Sequence, residues 1–190
     1  MNDQEKTIRP ATQADVPAAA ATLAAAFATY PWTRWSIPAQ DYEARLEQLQ
    51  AIYLSHAIQH GIVLVTSELT GAAAMLPPNA PEPLEPVQAQ IADLMGDRLS
   101  AVMEVELPQR PANSWDFATI GVHPDHAGKG LGGALIRQAL HRATSSGNPR
   151  VSLETSAEGN VALYEKHGFT VTHETHIKGG PDVYTMMTAV

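Results

Sequence analysis

The chain has 190 residues, of which 44% are apolar and 17% are charged, and its formal net charge is −8. This length and composition predict one folded domain over residues 1–190 and argue against general disorder. The acidic balance disfavours nucleic acid or an anionic membrane as a partner, since both select clustered Lys and Arg. Because the chain has no cysteine, disulfides, thiolate metal sites and cysteine nucleophiles are excluded.

The N-terminal stretch MNDQEKTIRP is polar and lacks the apolar run of a signal peptide. No stretch approaches the roughly 18 consecutive apolar residues of a membrane-spanning helix. These two observations predict a cytoplasmic protein that does not bind a membrane.

The first half of the chain predicts a strand, a helix, an aromatic loop, a second helix and two further strands. The strand covers residues 7–9, and Thr12 with Asp15 forms a capping pair ahead of a helix that runs to about Tyr30. The aromatic stretch YPWTRWSIP is expected to be a loop. DYEARLEQLQAIYLSHAIQHG has helical apolar spacing, and IVLVTS and GAAAMLPP are expected to be strands joined by a turn.

The second half continues as alternating strands and helices. The proline-rich stretch PPNAPEPLEP predicts a loop, and VQAQIADLMGDRLSAVMEVEL predicts a helix. SWDFATIGV and RVSLETS are predicted strands, each followed by a helix, LGGALIRQALHRATSSG and EGNVALYEKHG. FTVTHETHI and DVYTMMTAV predict a closing pair of strands, so the order is mixed α/β.

The stretch VHPDHAGKGLGGAL places four glycines and a lysine between a strand and a helix. Glycine clusters of this kind let a backbone approach a phosphate closely. A P-loop requires GxxxxGK followed by Ser or Thr, but Gly128-Lys129 is followed by Gly130, and His123 lies five positions before Gly128. A P-loop is therefore excluded.

The dinucleotide-binding pattern GxGxxG is matched literally by Gly128, Gly130 and Gly133, with Glu154 about twenty residues further on. Its context is wrong, because VHPDHA separates the glycines from the strand and too little chain follows for several βαβ units. An acyl-CoA pyrophosphate loop fits better. Amides from about Gly128 to Gly133 then face a diphosphate at the positive end of the following helix. Lys129 is expected to add positive charge or, alternatively, to be a solvated side chain.

This stretch resembles the signature of the GNAT superfamily of N-acetyltransferases, in which an apolar strand leads through V-x-P to Arg/Gln-x-x-Gly-x-Gly/Ala and into a helix. The matching residues are Val122, Pro124, Ala127, Gly130 and Gly132. Ala127 departs from the pattern, because the family usually has Arg or Gln there. The backbone donors of the loop do not depend on that side chain.

A second motif of the same family is an Asn after the next strand, followed by a Tyr on a short helix that ends in Gly-Phe. It is matched by Asn160, Tyr164 and Gly168-Phe169. Two separate motifs in the right order are a much more specific signal than a glycine pattern alone.

The resemblance implies the GNAT fold: an α/β (α+β) mixed central sheet of about six to seven strands, with helices on both faces and strands splayed at the acetyl-CoA site. It implies acetyl transfer from acetyl-CoA to a primary amine, without a metal. The likeness extends over nearly the whole chain to the branch that acetylates puromycin. That branch implies a small amino-bearing acceptor such as an aminonucleoside antibiotic, and hence antibiotic resistance.

Two alternatives stay open on the sequence: a protein or peptide amine acetyltransferase of the same fold, and a non-catalytic acyl-CoA-binding module. The protein is expected to be a monomer or a homodimer.

The same resemblance implies the catalytic roles. Tyr164 is expected to protonate the departing thiolate, and its alternative is a tyrosine packed under the sheet. Glu154 is the general-base candidate, and its alternative is a carboxylate that pairs locally. A backbone N–H of the Ile120-Gly121-Val122 strand is the expected donor to the oxyanion.

The implied cofactor contacts come from the strand end, the glycine loop, the start of the helix and the second motif: Ile120, Gly121, Val122, Ala127, Gly128, Lys129, Gly130, Leu131, Gly132, Gly133 and Asn160. Asn160 is expected to bond an amide of the cofactor arm or, alternatively, to cap its helix. Tyr30, Trp32 and Trp35 are expected to form an aromatic wall for the acceptor or, alternatively, to pack the loop onto the core.

Two histidine pairs, His123 with His126 and His173 with His176, have the spacing of metal ligands. No further histidine or carboxylate completes either set, and i and i+3 on a strand point apart. No metal site is expected.

Overall fold

A computed structural model describes residues 8–148 and 150–188 of the chain. Within these residues, seven strands form one sheet in the order β1-β2-β3-β4-β5-β7-β6. The strands are β1 Ile8–Pro10, β2 Ile62–Thr66, β3 Gly71–Leu76, β4 Trp115–Val122, β5 Val151–Thr155, β6 Phe169–His176 and β7 Asp182–Thr188. Of the predicted first strand, Thr7 lies outside the described residues, as do Ala189 and Val190 of the last.

Seven α-helices surround this sheet in the described part of the chain, and short 3-10 turns precede or join some of them. The helices are α1 Val16–Ala26, α2 Pro31–Ser36, α3 Tyr42–His60, α4 Glu85–Met95, α5 Leu99–Met103, α6 Leu131–Ser145 and α7 Glu158–Glu165. The mixed α/β architecture expected from the sequence is confirmed.

Helices cover both faces of the sheet, as the alternation along β2 demonstrates. Val63 and Val65 belong to the cluster that packs on α1 and α3, whereas Leu64 between them belongs to the cluster on the α6 and α7 side. Successive side chains of a strand point to opposite faces. The sheet is therefore a central layer with apolar side chains on each side, and the prediction of two covered faces is confirmed.

All neighbouring strands are antiparallel except β4 and β5, which are parallel. A parallel pair requires a crossover connection, and α6 supplies it between the end of β4 and the start of β5. The glycine stretch forms the turn that begins this crossover.

The helix predicted to reach Tyr30 ends at Ala26 instead. Tyr30 precedes Pro31, and the residue before a proline is disfavoured in the helical region; Tyr30 accordingly has extended angles, φ −69° and ψ 129°. Pro31 then occupies the first position of α2, where its missing N–H costs nothing. The expectation of a plain aromatic loop is therefore wrong, since Trp32 and Trp35 lie on a short helix.

The helix predicted from residue 87 to residue 107 is broken in two. Gly96 has a positive φ of 52° and ends α4, and a 3-10 turn leads from it into α5. The first helix also begins earlier than expected, at Glu85, inside the stretch predicted to be a loop. Its second residue is Pro86, which is tolerated in the first turn of a helix.

Gly121 allows α1 to pack closely on β4. A Cβ built on Gly121 lies 2.8 Å from Cβ of Ala26 and 2.9 Å from Cδ2 of Leu23, closer than real carbon atoms approach. The absence of a side chain at this position thus sets the distance between the helix and the strand.

We predict that Gly121→Ala destabilises the protein by about 1–3 kcal/mol, because the added methyl group overpacks the contact between α1 and β4. Chemical denaturation followed by circular dichroism measures the effect. Gly159→Ala is the matched control, since a Cβ there meets no atom within 4 Å and alanine favours the helix over glycine. Equal stability of the two variants would contradict the packing role of Gly121.

Candidate active site

Strands β4 and β5 pair only at their beginnings. Within the described strands the paired residues are Trp115 with Val151 and Asp116 with Ser152, after which β4 stays with β3 and β5 stays with β7. The two strands therefore diverge and leave a V-shaped opening in the middle of the sheet. The splayed strands expected from the sequence are observed.

A bulge in β4 accompanies this divergence. The register between β3 and β4 shifts between Ala74 and Leu76, and one extra residue lies on the β4 side, around Phe117 and Ala118. A bulge bends its strand and increases the local twist. Its position, directly after the last pair with β5, is where β4 turns away from that strand.

Backbone groups of β4 face the opening. The N–H of His123 donates to the carbonyl of Thr70 at 2.8 Å, and hydrogen-bonded and non-hydrogen-bonded pairs alternate along an antiparallel ladder. Gly121 is therefore bonded to β3, whereas the N–H and C=O groups of Ile120 and Val122 point away from it, towards the opening. Ile120 and Val122 are thus the available donors, and Gly121 serves packing.

The glycine loop leads from the end of β4 to the start of α6. Gly128 and Gly130 have positive φ angles of 76° and 78°, which L side chains rarely adopt. The first intrahelical bond of α6 runs from the N–H of Ala134 to the carbonyl of Gly130 at 3.1 Å. The N–H groups of Leu131, Gly132 and Gly133 therefore have no acceptor within the helix, which fits an anionic ligand at this positive helix end.

The remaining loop residues differ in their surroundings. Ala127 and Lys129 are exposed, and Nζ of Lys129 lies 3.5 Å from Nδ1 of His126. A Cβ on Gly132 meets only a methyl group of Val122, at 3.9 Å, whereas one on Gly133 lies 3.0 Å from Nε2 of His167. Gly133 thus allows the start of α6 to pack against the end of α7.

Tyr164 and Asn160 lie one helical turn apart on α7, on the same side of the helix. Tyr164 is 7% exposed and packs edge-on against Phe169, with ring centroids 5.8 Å apart. Burial, with a smaller contribution from Tyr30, holds the pKa of Tyr164 well above its usual value. A tyrosine with this pKa carries its proton at neutral pH.

Asn160 is the third residue of α7 and does not cap it. The capping position belongs to Ala157, without a side-chain hydrogen bond. The alternative that Asn160 serves as the helix cap is therefore wrong, and its half-buried amide is left for another role.

Tyr30 joins α2 to the end of β5. Its hydroxyl accepts a hydrogen bond from the N–H of Ser156 at 2.8 Å and lies 3.0 Å from Oγ1 of Thr155. The N–H of Trp32 donates to Oγ of Ser156 at 2.9 Å. These bonds hold Tyr30 and Trp32, which the sequence predicts to line the site of the acceptor substrate, at the open end of β5.

Trp35 has its ring packed against neighbouring side chains and backbone. Its ring lies 5.3 Å from that of Trp32, and the guanidinium of Arg98 lies 5.4 Å from the ring centroid. A Cβ on Gly180 would lie 2.9 Å from the ring of Trp35, so Trp35 packs tightly on the loop between β6 and β7. These contacts favour the packing alternative for Trp35.

Glu154 faces an acidic neighbour across the divergence. Leu153 points into the α6 side of the core, as do Trp115 and Phe117 on β4, so Glu154 and Asp116 point to the opposite face. Burial raises the pKa of Glu154, and the charge of Asp116 raises it further. A carboxylate with a raised pKa is a better proton acceptor at neutral pH.

Asp116 and Arg110 are residues of this site that the sequence interpretation missed. Nη2 of Arg110 lies 3.0 Å from Oδ2 of Asp116, and Arg110 lowers the pKa of both Asp116 and Glu154. The available signal was a charged residue within the apolar strand SWDFATIGV, because an unpaired charge is rarely buried. A carboxylate there requires a partner or a function.

Two buried hydroxyls on the same face lack a hydrogen-bond partner among the described residues, Oγ1 of Thr119 and Oγ1 of Thr185. Thr185 is the register partner of Glu154, so the two side chains lie on the same face of the sheet. Thr119 lies two residues before Gly121 and therefore on the same face of β4 as Gly121, which is the face covered by α1. Buried polar groups normally find partners. These hydroxyls fit a polar ligand in the opening beside Glu154.

The described residues contain no cluster of three or more His, Asp or Glu side chains that could hold a metal ion. The described helices also include none with the length and apolar character needed to cross a membrane.

Residues 26–169 match the model of the acetyltransferase (GNAT) family. The chain belongs to this family. The match covers the end of α1 through the start of β6 and so contains the diverging strands, the glycine loop and Tyr164. The family is one of acetyltransferases.

Solved structures agree with the GNAT fold. A histone acetyltransferase HPA2 and related acetyltransferase of Corynebacterium glutamicum is 23% identical, with a TM-score of 0.76 and 98% of each chain covered. YncA of Salmonella typhimurium, solved with its cofactor acetyl-CoA, is 21% identical, with a TM-score of 0.57 over 96% of this chain and 92% of that one.

Among curated proteins, a mycothiol acetyltransferase of Corynebacterium glutamicum is 38% identical over 64 residues, which is 33% of this chain. The match spans 22% of the length of that relative. The likeness therefore concerns part of an acetyltransferase.

Proposed function

We propose that residues 1–190 form one acetyltransferase domain that transfers the acetyl group of acetyl-CoA to a primary amine of a small molecule. The resemblance to the puromycin-acetylating branch supports an aminonucleoside as the acceptor, with antibiotic resistance as the outcome. The partial match to a mycothiol acetyltransferase, which is named for mycothiol and not for a protein, also supports a small acceptor.

The observation that carries this proposal is the divergence of β4 from β5. It leaves the N–H groups of Ile120 and Val122 without a strand partner on that side, and Glu154 lies on β5 across the opening. Acyl transfer to an amine needs a hydrogen-bond donor to the developing oxyanion and a base for the proton of the amine. Here one strand offers unpaired backbone N–H groups for the first role, and the other offers a carboxylate for the second.

Acetyl-CoA, when bound, supplies an acetyl group activated as a thioester. The amides of the glycine loop and of the first turn of α6 hold its diphosphate, and the amide of Asn160 bonds its pantetheine arm. An N–H of Ile120 or Val122 donates to the acetyl oxygen, where negative charge develops.

Glu154 and Tyr164 each transfer a proton. Glu154 accepts the proton of the amine directly or through a water molecule, so that the amine nitrogen can bond to the acetyl carbon while the C–S bond breaks. Tyr164, which is protonated at neutral pH because of its raised pKa, donates its proton to the departing sulfur. Tyr30 and Trp32 border the acceptor at the end of β5.

A turnover assay tests this function. Acetyl-CoA and the full chain are incubated with a panel of amines, including puromycin, simple alkylamines and peptides with free N-termini, and thiol release is measured. We expect thiol release with one or more small amines. Turnover only on peptides would identify the peptide acetyltransferase alternative, and CoA binding without turnover on any amine would identify the non-catalytic module.

We predict that Gly128→Ala weakens CoA binding about 5- to 30-fold, because a side chain disfavours the positive φ and moves the loop amides. Isothermal titration with CoA measures the effect. Gly147→Ala is the matched control: its φ is 85°, its added Cβ likewise meets no atom within 4 Å, and it lies at the far end of α6. Equal loss of affinity in both variants would place the diphosphate elsewhere.

We predict that Tyr164→Phe lowers kcat about 100-fold, the lower end of what a general acid contributes, while the Kd for CoA changes by less than about twofold. Stopped-flow thiol detection and isothermal titration provide the two numbers. Tyr53→Phe on α3, which removes a hydroxyl at a ring that is 36% exposed, is the control. Comparable losses in kcat and in CoA affinity would assign Tyr164 a structural role.

A further inference from the structure

Asp116 stands at the last position where β4 and β5 are paired. Its register partner is Ser152, and Glu154 follows two residues later on the same face of β5. The two carboxylates therefore lie on either side of the point where the strands separate. Asp116 is the more enclosed member of the ion pair with Arg110, with 16% of its side chain exposed against 38% for Arg110.

The cluster formed by Asp116, Glu154 and Arg110 is not electrically neutral. Arg110 bonds Asp116 at 3.0 Å and neutralises one carboxylate, so the three side chains together carry a charge of −1 when Glu154 is ionised. Asp116 from β4 and Arg110 from the segment before it are the charged groups that act on Glu154. Thr185 on β7, the register partner of Glu154, is uncharged.

The ion pair with Arg110 favours the charged form of Asp116 beside a second acid. Burial raises the pKa of Asp116, and the charge and the hydrogen bond of Arg110 offset only part of that rise. Among the described residues, no such bonded cation accompanies Glu154. Like charges in proximity cannot both be ionised without cost, and the charge of Asp116 accordingly raises the pKa of Glu154.

We propose that Asp116, held by Arg110, is a positioning residue that sets the proton affinity of Glu154 and thereby fits it to remove a proton from an alkylammonium acceptor. This inference rests on the proposed role of Glu154 as the general base. Asp116 acts through its charge and its side-chain position, and it touches neither the acceptor nor the acetyl group.

The proton path is complete without another reactant. An aliphatic primary amine is protonated at neutral pH, with a pKa near that of lysine, about 10.4. The ammonium gives one proton to the Glu154 carboxylate, and the neutral nitrogen attacks the acetyl carbon. As the C–S bond breaks, Tyr164 gives its proton to the sulfur, and the second proton that the nitrogen loses on becoming an amide restores Tyr164. The carboxyl group afterwards releases the first proton to solvent, so that Glu154 is restored for the next turnover.

The acid limb of the kcat/KM profile against pH tests the proposal, because this limb reports the pKa of the base in the free enzyme. With Asp116→Asn, loss of the negative charge is expected to move the limb to lower pH by about 0.5–1 unit. With Arg110→Gln, loss of the positive charge is expected to move it to higher pH. Asp93→Asn, which removes an exposed carboxylate on α4, is the control and should leave the limb unchanged.

A carbon-13 NMR titration of the Glu154 carboxyl in the full chain, assigned with Glu154→Gln, gives a readout that does not require turnover. We expect its midpoint to shift in the same two directions. An unchanged midpoint in a folded Asp116→Asn variant would overturn the proposal. If that variant does not fold, an unchanged midpoint in Arg110→Gln overturns it equally.

The two readouts also separate this inference from the proposed function. If the wild-type chain transfers no acetyl group but the Glu154 midpoint shifts as expected, the coupling stands and the function fails. If turnover occurs while neither the limb nor the midpoint moves, the function stands and the role of Asp116 fails.

Discussion

The separation of β4 from β5 is the constraint on which the rest of this molecule depends. A strand that loses its neighbour exposes backbone groups that must otherwise be satisfied, and here the groups of Ile120 and Val122 face the opening. The bulge after Asp116 turns β4 aside, and β7 holds β5 on its other edge. The opening is therefore a feature of the sheet itself, stabilised by the pairing of β4 with β3 and of β5 with β7.

Elements from distant parts of the chain meet at this opening. Tyr30, Trp32 and Ser156 are joined by hydrogen bonds across more than 120 residues of sequence. Tyr164 reaches the same region from α7, and it is close enough to Tyr30 for that side chain to influence its pKa. Short-range packing sets the frame: the missing side chain at Gly121 lets α1 lie directly on β4, and α2 follows α1 after Pro31.

Electrostatics divides the opening into two regions. The glycine loop and the start of α6 present backbone N–H groups and a positive helix end, which fits the phosphates of a coenzyme. The opposite face presents Asp116 and Glu154 together with the guanidinium of Arg110. The anionic donor and the cationic amine of the proposed reaction would therefore approach from regions of complementary charge.

Local signals in the sequence determined most strands and helices and the glycine loop. Strand alternation, helical spacing and the glycines at 128 and 130 are short-range properties of the sequence, and the observed strands, helices and positive φ angles agree with them. The same kind of signal predicted a loop where Pro31 begins a helix, because the rule that proline starts helices competes with the rule that it interrupts them. The pairing of Asp116 with Arg110, the proximity of Asp116 to Glu154 and the tight packing at Gly121 were decided only by the tertiary structure. Each depends on strand register and on the distance between layers, and these are fixed by contacts between residues far apart in the chain.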